Sequence, residues 1–124
     1  MSEENKIDIK HLQLLVLQES ENNVMQKLDS NLYNSISEFL KNLKNEKQDG
    51  IEEKINQTMI DMVSDTTSIL LKLRLEKATL RNSNHSVLLD EEKYILNARA
   101  EMTERRENIL SGILKGEPHN LDAQ

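Results

Sequence analysis

The sequence predicts an all-α protein, a bundle of four main helices of which one is unusually long. Three observations favour this class. Apolar residues recur at steps of three and four along most of the chain, as they do on one face of a helix. Only 2% of the residues are aromatic, so a core has to be built from Leu, Ile, Val and Met. Three glycines and one proline are too few for the closely spaced turns of an all-β fold.

The first two helices are predicted from their apolar stripes. We expect the first helix to run from Ile7 to about Ser20. Its stripe consists of Ile9, Leu12, Leu15 and Val16. The second helix should begin at Ser30 or Asn31, because either side chain can accept a hydrogen bond from the free amides of a helix start. This helix has apolar residues on one side as far as Leu43 and ends in a charged stretch.

The third predicted helix begins after Gly50 and continues to Arg81. Its apolar positions follow alternating steps of four and three residues, the spacing of a packed seam. The seam consists of Ile55, Met59, Met62, Thr66, Ile69, Leu73, Glu76 and Leu80, and it is interrupted by the polar residues Thr66 and Glu76. A helix of about 30 residues is roughly 45 Å long, which exceeds the ~30 Å across a small domain. We therefore expect part of this helix to contact another subunit.

The fourth predicted helix starts at Asp90, a residue type that caps helices, and is terminated by Gly116 and Pro118. Ile95, Ala98, Met102, Ile109 and Ile113 supply its inner stripe. The sequence thus predicts one helical domain over residues 1–116. Residues 117–124 are predicted to be a flexible tail or the start of a linker.

Charge and composition point to protein partners. The net charge of −6 repels nucleic acid, so we expect direct nucleic-acid binding to be weak or absent. The chain has no cysteine, and its acidic start lacks the pattern of a secretory signal. Its longest apolar run, Leu14 to Leu17, is far short of the roughly 20 residues that span a bilayer. We expect a soluble protein without a membrane, located in the cytoplasm at the nucleoid, or in the nucleus of a eukaryote.

We expect neither a catalytic site, nor a metal, nor a cofactor. Helical bundles bind paired iron ions through Glu-x-x-His motifs, and the nearest pattern here is a single Asp8-x-x-His11. His85 is predicted in a turn and His119 in the tail, and neither position suits acid or base catalysis. The chain is therefore predicted not to be an enzyme.

Two interpretations remain open for a group of cations near the end of the third helix. The group consists of Lys72, Arg74, Lys77 and Arg81. It is either a basic strip for DNA phosphates or a set of structural ion pairs, because residues three, four and seven apart share part of a helix face. Acidic neighbours such as Glu76 favour ion pairs.

The second half of the chain resembles a GINS subunit. The resemblance is carried by the segment from Ile55 to Ala78, with Arg74 and Lys77 matching an Arg-x-x-Lys pattern. A turn follows, and then a helix opened by the acidic residues 90–92. An upstream helix over residues 32–43 fits the same order, so the resemblance covers about residues 7 to 116.

The resemblance implies the helical A domain of an archaeal GINS protein of the class that places this domain before a small β-rich B domain. It implies a non-catalytic scaffold in a homo- or hetero-tetramer. Such a tetramer joins the MCM helicase and a RecJ-like protein in the initiation and elongation of DNA replication. No alternating apolar residues follow Pro118, so we expect the A domain alone.

We expect sister subunits to cover an apolar surface on the third and fourth helices. Its residues are Met59, Met62, Ile69, Leu73, Leu80, Met102, Ile109 and Ile113. The alternatives are a generic helical adaptor or coiled-coil regulator and, with less support, a helical module that binds nucleic acid.

Overall fold

The computed structural model describes residues 7–47, 49–80 and 83–117. This part of the chain contains four α-helices, α1 (Ile9–Glu21), α2 (Leu32–Asn45), α3 (Ile51–Ala78) and α4 (Asp90–Leu114). A short 3₁₀ turn, His85–Val87, precedes α4, and no strand occurs among these residues. The predicted all-α class and the long third helix are confirmed. Arg81, Pro118 and His119 lie outside the described residues, as does the predicted tail after Glu117.

The chain divides into two compact units, residues 1–92 and residues 93–124. In the first unit, α1 and α2 both contact α3. The core of this unit is apolar and consists of Ile7, Leu12, Leu32, Ile36, Val63, Leu70 and Leu89, with partly buried neighbours. In the second unit, the described residues are the rest of α4, from Lys93, and the three residues after it. The predicted domain of residues 1–116 stays a prediction.

The start of α1 is capped by an aspartate, whereas the start of α2 has no side-chain cap. The Asp8 carboxylate accepts a hydrogen bond from the His11 backbone N–H at 2.8 Å, so the Asp8-x-x-His11 pattern serves as a helix cap. The predicted side-chain cap of α2 is wrong in detail. Asn31 is at the cap position, but its side chain makes no capping bond. Asp29 forms the turn instead, because its carboxylate accepts from the Asn31 N–H at 2.9 Å.

Two residues shape the approach of α2 to α3, Gly50 before the start of α3 and Asn56 within it. Gly50 has a φ of +66°, in the region that residues with a side chain rarely adopt, which explains a glycine immediately before α3. The Asn56 side-chain amide donates to the Leu43 carbonyl at 3.3 Å and to the Glu46 carboxylate at 3.0 Å. These bonds satisfy groups at the end of α2 and hold it against the start of α3.

The face of α3 that packs against the core is not the face that its apolar pattern predicts. The buried residues are Val63, Leu70, Arg74 and Ala78, and the predicted seam lies next to this face. The buried face is harder to see in the sequence because it includes Arg74 and Thr67, whose hydroxyl donates to the Val63 carbonyl at 2.7 Å. A buried arginine interrupts an apolar pattern even where packing is continuous.

The helix α3 also ends earlier than expected, at Ala78. The Ala78 carbonyl accepts a bond from the Ser83 hydroxyl at 3.0 Å and lies 2.8 Å from the Nε2 atom of His85. These side chains take the place of a further helical turn as partners of the Ala78 carbonyl, which is consistent with the end of the helix at this residue. None of the described helices is both long enough and apolar enough to cross a bilayer.

Candidate functional site

An arginine lies at the centre of the first unit. The Arg74 Nε atom is 2.6 Å from the Glu92 carboxylate, and its Nη1 atom is 3.0 Å from the Glu19 carboxylate. The side chains of all three residues are 0% exposed. Glu19 comes from α1, Arg74 from α3 and Glu92 from the first turn of α4. One buried cation thus joins three helices.

The remaining donors of Arg74 hold the connecting segments. Its Nη1 atom also donates to the Gln26 carbonyl at 2.7 Å, and Nη2 donates to the Val87 carbonyl at 2.9 Å. These carbonyls belong to the segment between α1 and α2 and to the 3₁₀ turn before α4. A planar fork with five donors suits this arrangement, because every nitrogen of Arg74 has a fixed partner.

Lys77, one turn further along α3, completes the charge balance. Its ammonium group donates to the Glu19 carboxylate at 2.7 Å and to the Val24 carbonyl at 3.2 Å. Two carboxylates therefore face two cations, and we name Glu19, Arg74, Lys77 and Glu92 the ion network. Such balance is needed because an unpaired charge in a protein interior is costly.

Glu92 has a second role as the cap of α4. Its Oε1 atom accepts from the Leu89 backbone N–H at 2.8 Å, and its Oε2 atom accepts from the Tyr33 hydroxyl at 2.6 Å. The predicted cap was Asp90, but Asp90 is already the first residue of the helix. The carboxylate that closes the first turn is that of Glu92, three residues after Leu89, as in a capping box.

The network shifts the pKa values of two of the groups that it contains or contacts. Burial raises the pKa of the Tyr33 hydroxyl, and the hydrogen bond to Glu92 raises it further, since both disfavour the phenolate. Burial by itself lowers the pKa of Arg74, but the hydrogen bonds and charges of Glu92 and Glu19 outweigh it and raise the pKa above its ordinary value. Arg74 therefore stays charged inside the core.

The geometry separates the four predicted cations. Arg74 and Lys77 are ion-paired, and the guanidinium of Arg74 has no surface that a DNA phosphate can reach. Lys72 is exposed, and Arg81 lies outside the described residues. The described members of this group therefore do not form a continuous basic strip that includes Arg74. The reason is that Arg74 is on the face of α3 that packs against α1.

The residues predicted as a subunit interface lie partly or largely at the surface. On α3 we name Met59, Met62, Ile69, Leu73 and Leu80 the α3 strip, and on α4 we name Met102, Ile109 and Ile113 the α4 strip. The largest exposed fractions are 40% for Met62, 50% for Ile69, 59% for Leu80, 68% for Met102 and 61% for Ile113. Met59, Leu73 and Ile109 are half-buried.

The α4 strip lies on a helix without a buried apolar residue. Glu92 is the one buried residue of α4, and it belongs to the first turn. Beyond it, Met102, Ile109 and Ile113 share a shallow groove along the helix with Leu110 and two arginines. Helices in proteins gain most of their stability from packing an apolar face, so an apolar stripe normally contacts a partner surface.

Sequence reasoning missed the two carboxylates of the ion network. A signal for both was present. Glu19 is seven residues after Leu12 and so lies on the apolar face of α1, and Glu92 is three residues after Leu89. Charges of opposite sign on the apolar faces of separate helices indicate that these charges pair inside the protein.

Comparisons with protein-family models, with curated proteins and with solved structures found no match for this chain.

Proposed function

We propose that this chain is a non-catalytic scaffold that assembles with further copies or with related subunits through the α3 strip and the α4 strip. The observation that carries the proposal is the exposure of large apolar side chains at helical spacing on both helices, with Ile69 and Met102 at least half exposed. Single exposed apolar residues are common, but rows of them along a helix mark interaction surfaces.

The energetics favour assembly over exposure. Fully burying a Leu, Ile or Met side chain contributes about 1.5–3 kcal/mol. A standard interface removes about 1,600 Å² from water, counted over both partners, and its centre is more apolar than its rim. Two helices with exposed apolar rows supply such a centre, whereas the side chains of Glu19, Arg74 and Glu92 in the ion network are fully buried.

Within this proposal, the assembly is a GINS-like tetramer that works in DNA replication with the MCM helicase and a RecJ-like protein. The support is the resemblance of residues 7 to 116 to the helical A domain of archaeal GINS proteins. In this chain the Arg-x-x-Lys pattern has a physical basis, since Arg74 and Lys77 both pair with Glu19.

Assembly is tested by light scattering or sedimentation at micromolar concentration. We expect a species heavier than one chain, which the Ile69→Asp variant shifts to the monomer because it places a charge in the α3 strip. Ser68→Asp adds the same charge at an exposed neighbouring position on another face of α3 and should leave the assembly intact. A wild-type protein that remains monomeric at all concentrations contradicts the proposal.

The replication role needs a separate test. The wild-type chain should retain MCM helicase and the RecJ-like protein of the same organism when each is purified and applied to it. Ile69→Asp should release them if the assembled form is the binding partner. Assembly without retention of either protein would support a general helical adaptor instead.

A further inference from the structure

The charges around the α4 strip are segregated by sign. Arg105 and Arg106 lie three and four residues after Met102 and four and three residues before Ile109. On a helix this spacing places both arginines within about 60° of the strip. The acidic residues Glu101, Glu104 and Glu107 lie about 100° or more away from it by the same geometry. The α4 strip is therefore apolar with cationic edges.

The α3 strip has the opposite character. Asp65 lies three residues after Met62 and four residues before Ile69, and all three are exposed. Glu76 likewise lies three residues after Leu73 and four residues before Leu80. Both acids lie within about 60° of the strip. On the same side, Lys72 lies three residues after Ile69 and about 80° from the line of Met62 and Leu80. On the other side, Lys77 lies about 60° away and is ion-paired with Glu19. Between Met62 and Ile69, the edge nearest to the apolar side chains is therefore acidic, through Asp65.

The two strips also match in spacing. Met62 and Ile69 are seven residues apart, and so are Met102 and Ile109, which corresponds to about 10.5 Å along each helix. Asp65 lies halfway along the first pair, and Arg105 and Arg106 lie halfway along the second. The charges consequently meet whether the two helices run parallel or antiparallel.

From this complementarity we infer that the α4 strip of one chain packs against the α3 strip of a second copy, with Arg105 and Arg106 beside Asp65 of that copy. The inference rests on the proposed assembly and specifies which surfaces form its contact. Opposite charges at the edge set the choice and the register of the partner, and the apolar side chains supply the affinity.

Pairing of identical strips is less favourable on electrostatic grounds. Two α4 strips would bring arginine edges together, and two α3 strips would bring acidic edges together. The whole chain carries a net charge of −6, so two copies repel each other unless their contact surfaces are complementary. Contact between the α3 strip of one copy and the α4 strip of another provides this complementarity, and no second kind of protein is needed.

A charge-exchange experiment tests the inference. One variant carries Asp65→Arg, and the other carries Arg105→Asp and Arg106→Asp. Each variant alone should associate at least about tenfold more weakly than the wild type, because both of its strips then carry the same charge. A mixture of the two should recover association, since each α3 strip again meets an α4 strip of opposite sign. Glu38→Arg makes the same charge change on the exposed side of α2 and should have no effect.

Cross-linking identifies the surfaces directly, because the chain has no cysteine and each variant then contains a single thiol. A Met62→Cys chain mixed with a Met102→Cys or Ile109→Cys chain should form a cross-link between the two different chains. The position that reacts with Met62→Cys reports the relative direction of the helices.

The outcomes separate the inference from the proposed function. Cross-links mainly between identical Ile109→Cys chains, or a charge mixture that fails to recover association, would overturn the pairing while leaving assembly itself in place. A cross-link formed within one monomeric chain that carries both cysteines would overturn it as well. A wild type that does not associate at all would overturn both.

Discussion

The Nε atom of Arg74 and the carboxylate of Glu92 approach to 2.6 Å, and neither side chain is exposed to solvent. Glu92 also closes the first turn of α4 by accepting from the Leu89 N–H. The pair therefore connects the middle of the core to the start of a helix whose further residues present an apolar strip.

Replacing the buried arginine should be severely destabilising. Arg74→Leu leaves Glu19 and Glu92 buried with only the Lys77 charge nearby, and breaking a buried ion pair by removing one partner costs about 3–5 kcal/mol. The free energy of unfolding from urea denaturation measures this loss. Lys72→Leu removes an exposed cation on the same helix and should change it by about 0.5 kcal/mol or less. A loss below about 1 kcal/mol for Arg74→Leu would mean that the network contributes little.

The two glutamates at the start of α4 should differ sharply although they are adjacent. Glu92→Gln removes a buried charge that accepts bonds from Leu89, Tyr33 and Arg74, so we expect a loss of about 2 kcal/mol or more. Glu91→Gln changes an exposed side chain and should cost about 0.5 kcal/mol or less. Thermal or urea unfolding followed by circular dichroism compares them. Equal effects would contradict the assignment of Glu92 as the buried cap.

Alkaline pH should destabilise the fold through Tyr33. Its pKa is raised in the folded protein, so the unfolded chain loses the phenolic proton first, at about pH 10. The stability that Tyr33 contributes is complete below that pH and falls above it, by at most about 1.4 kcal/mol per pH unit. Tyr33→Phe should remove this part of the pH dependence.

The tyrosinate absorbance provides an independent measurement. The chain has two tyrosines, so in a Tyr94→Phe background the absorbance reports Tyr33 alone. It should appear at a higher pH in the folded protein than in urea. Coincident titrations in the two states would show that the Glu92 contact does not protect the hydroxyl.

Adjacent residues of α3 should separate stability from assembly. Leu70 is 0% exposed in the core, so Leu70→Ala should cost about 2–5 kcal/mol of unfolding free energy. Ile69 is 50% exposed, so Ile69→Ala should leave the stability of the single chain within about 1 kcal/mol and weaken association. Urea unfolding at low concentration and sedimentation at high concentration distinguish the two effects. A large stability loss for Ile69→Ala would place it in the core.

The order and approximate bounds of the helices were predictable from the apolar periodicity and the sparse Gly and Pro residues. Gly50 and the acidic start of α4 mark their boundaries correctly because local backbone and dipole effects act within one helical turn. The caps were less predictable. Glu92 performs the capping role assigned to Asp90, and the side chain of Asn31 makes no capping bond at the start of α2. Several neighbouring side chains compete for the free amides of a helix start, and periodicity does not show which of them succeeds.

The all-α class, the length of α3 and the apolar positions at helical spacing on α3 and α4 can be read from the sequence alone. The face of α3 that is buried, and the position of Arg74 on it beside Glu19 and Glu92, become visible only in the packed helices. The physical reason is that burial of a charge depends on partners that are 55 and 18 residues away along the chain. Periodicity records apolar positions, but the free energy of a buried ion network is set by distances that exist only after the helices pack.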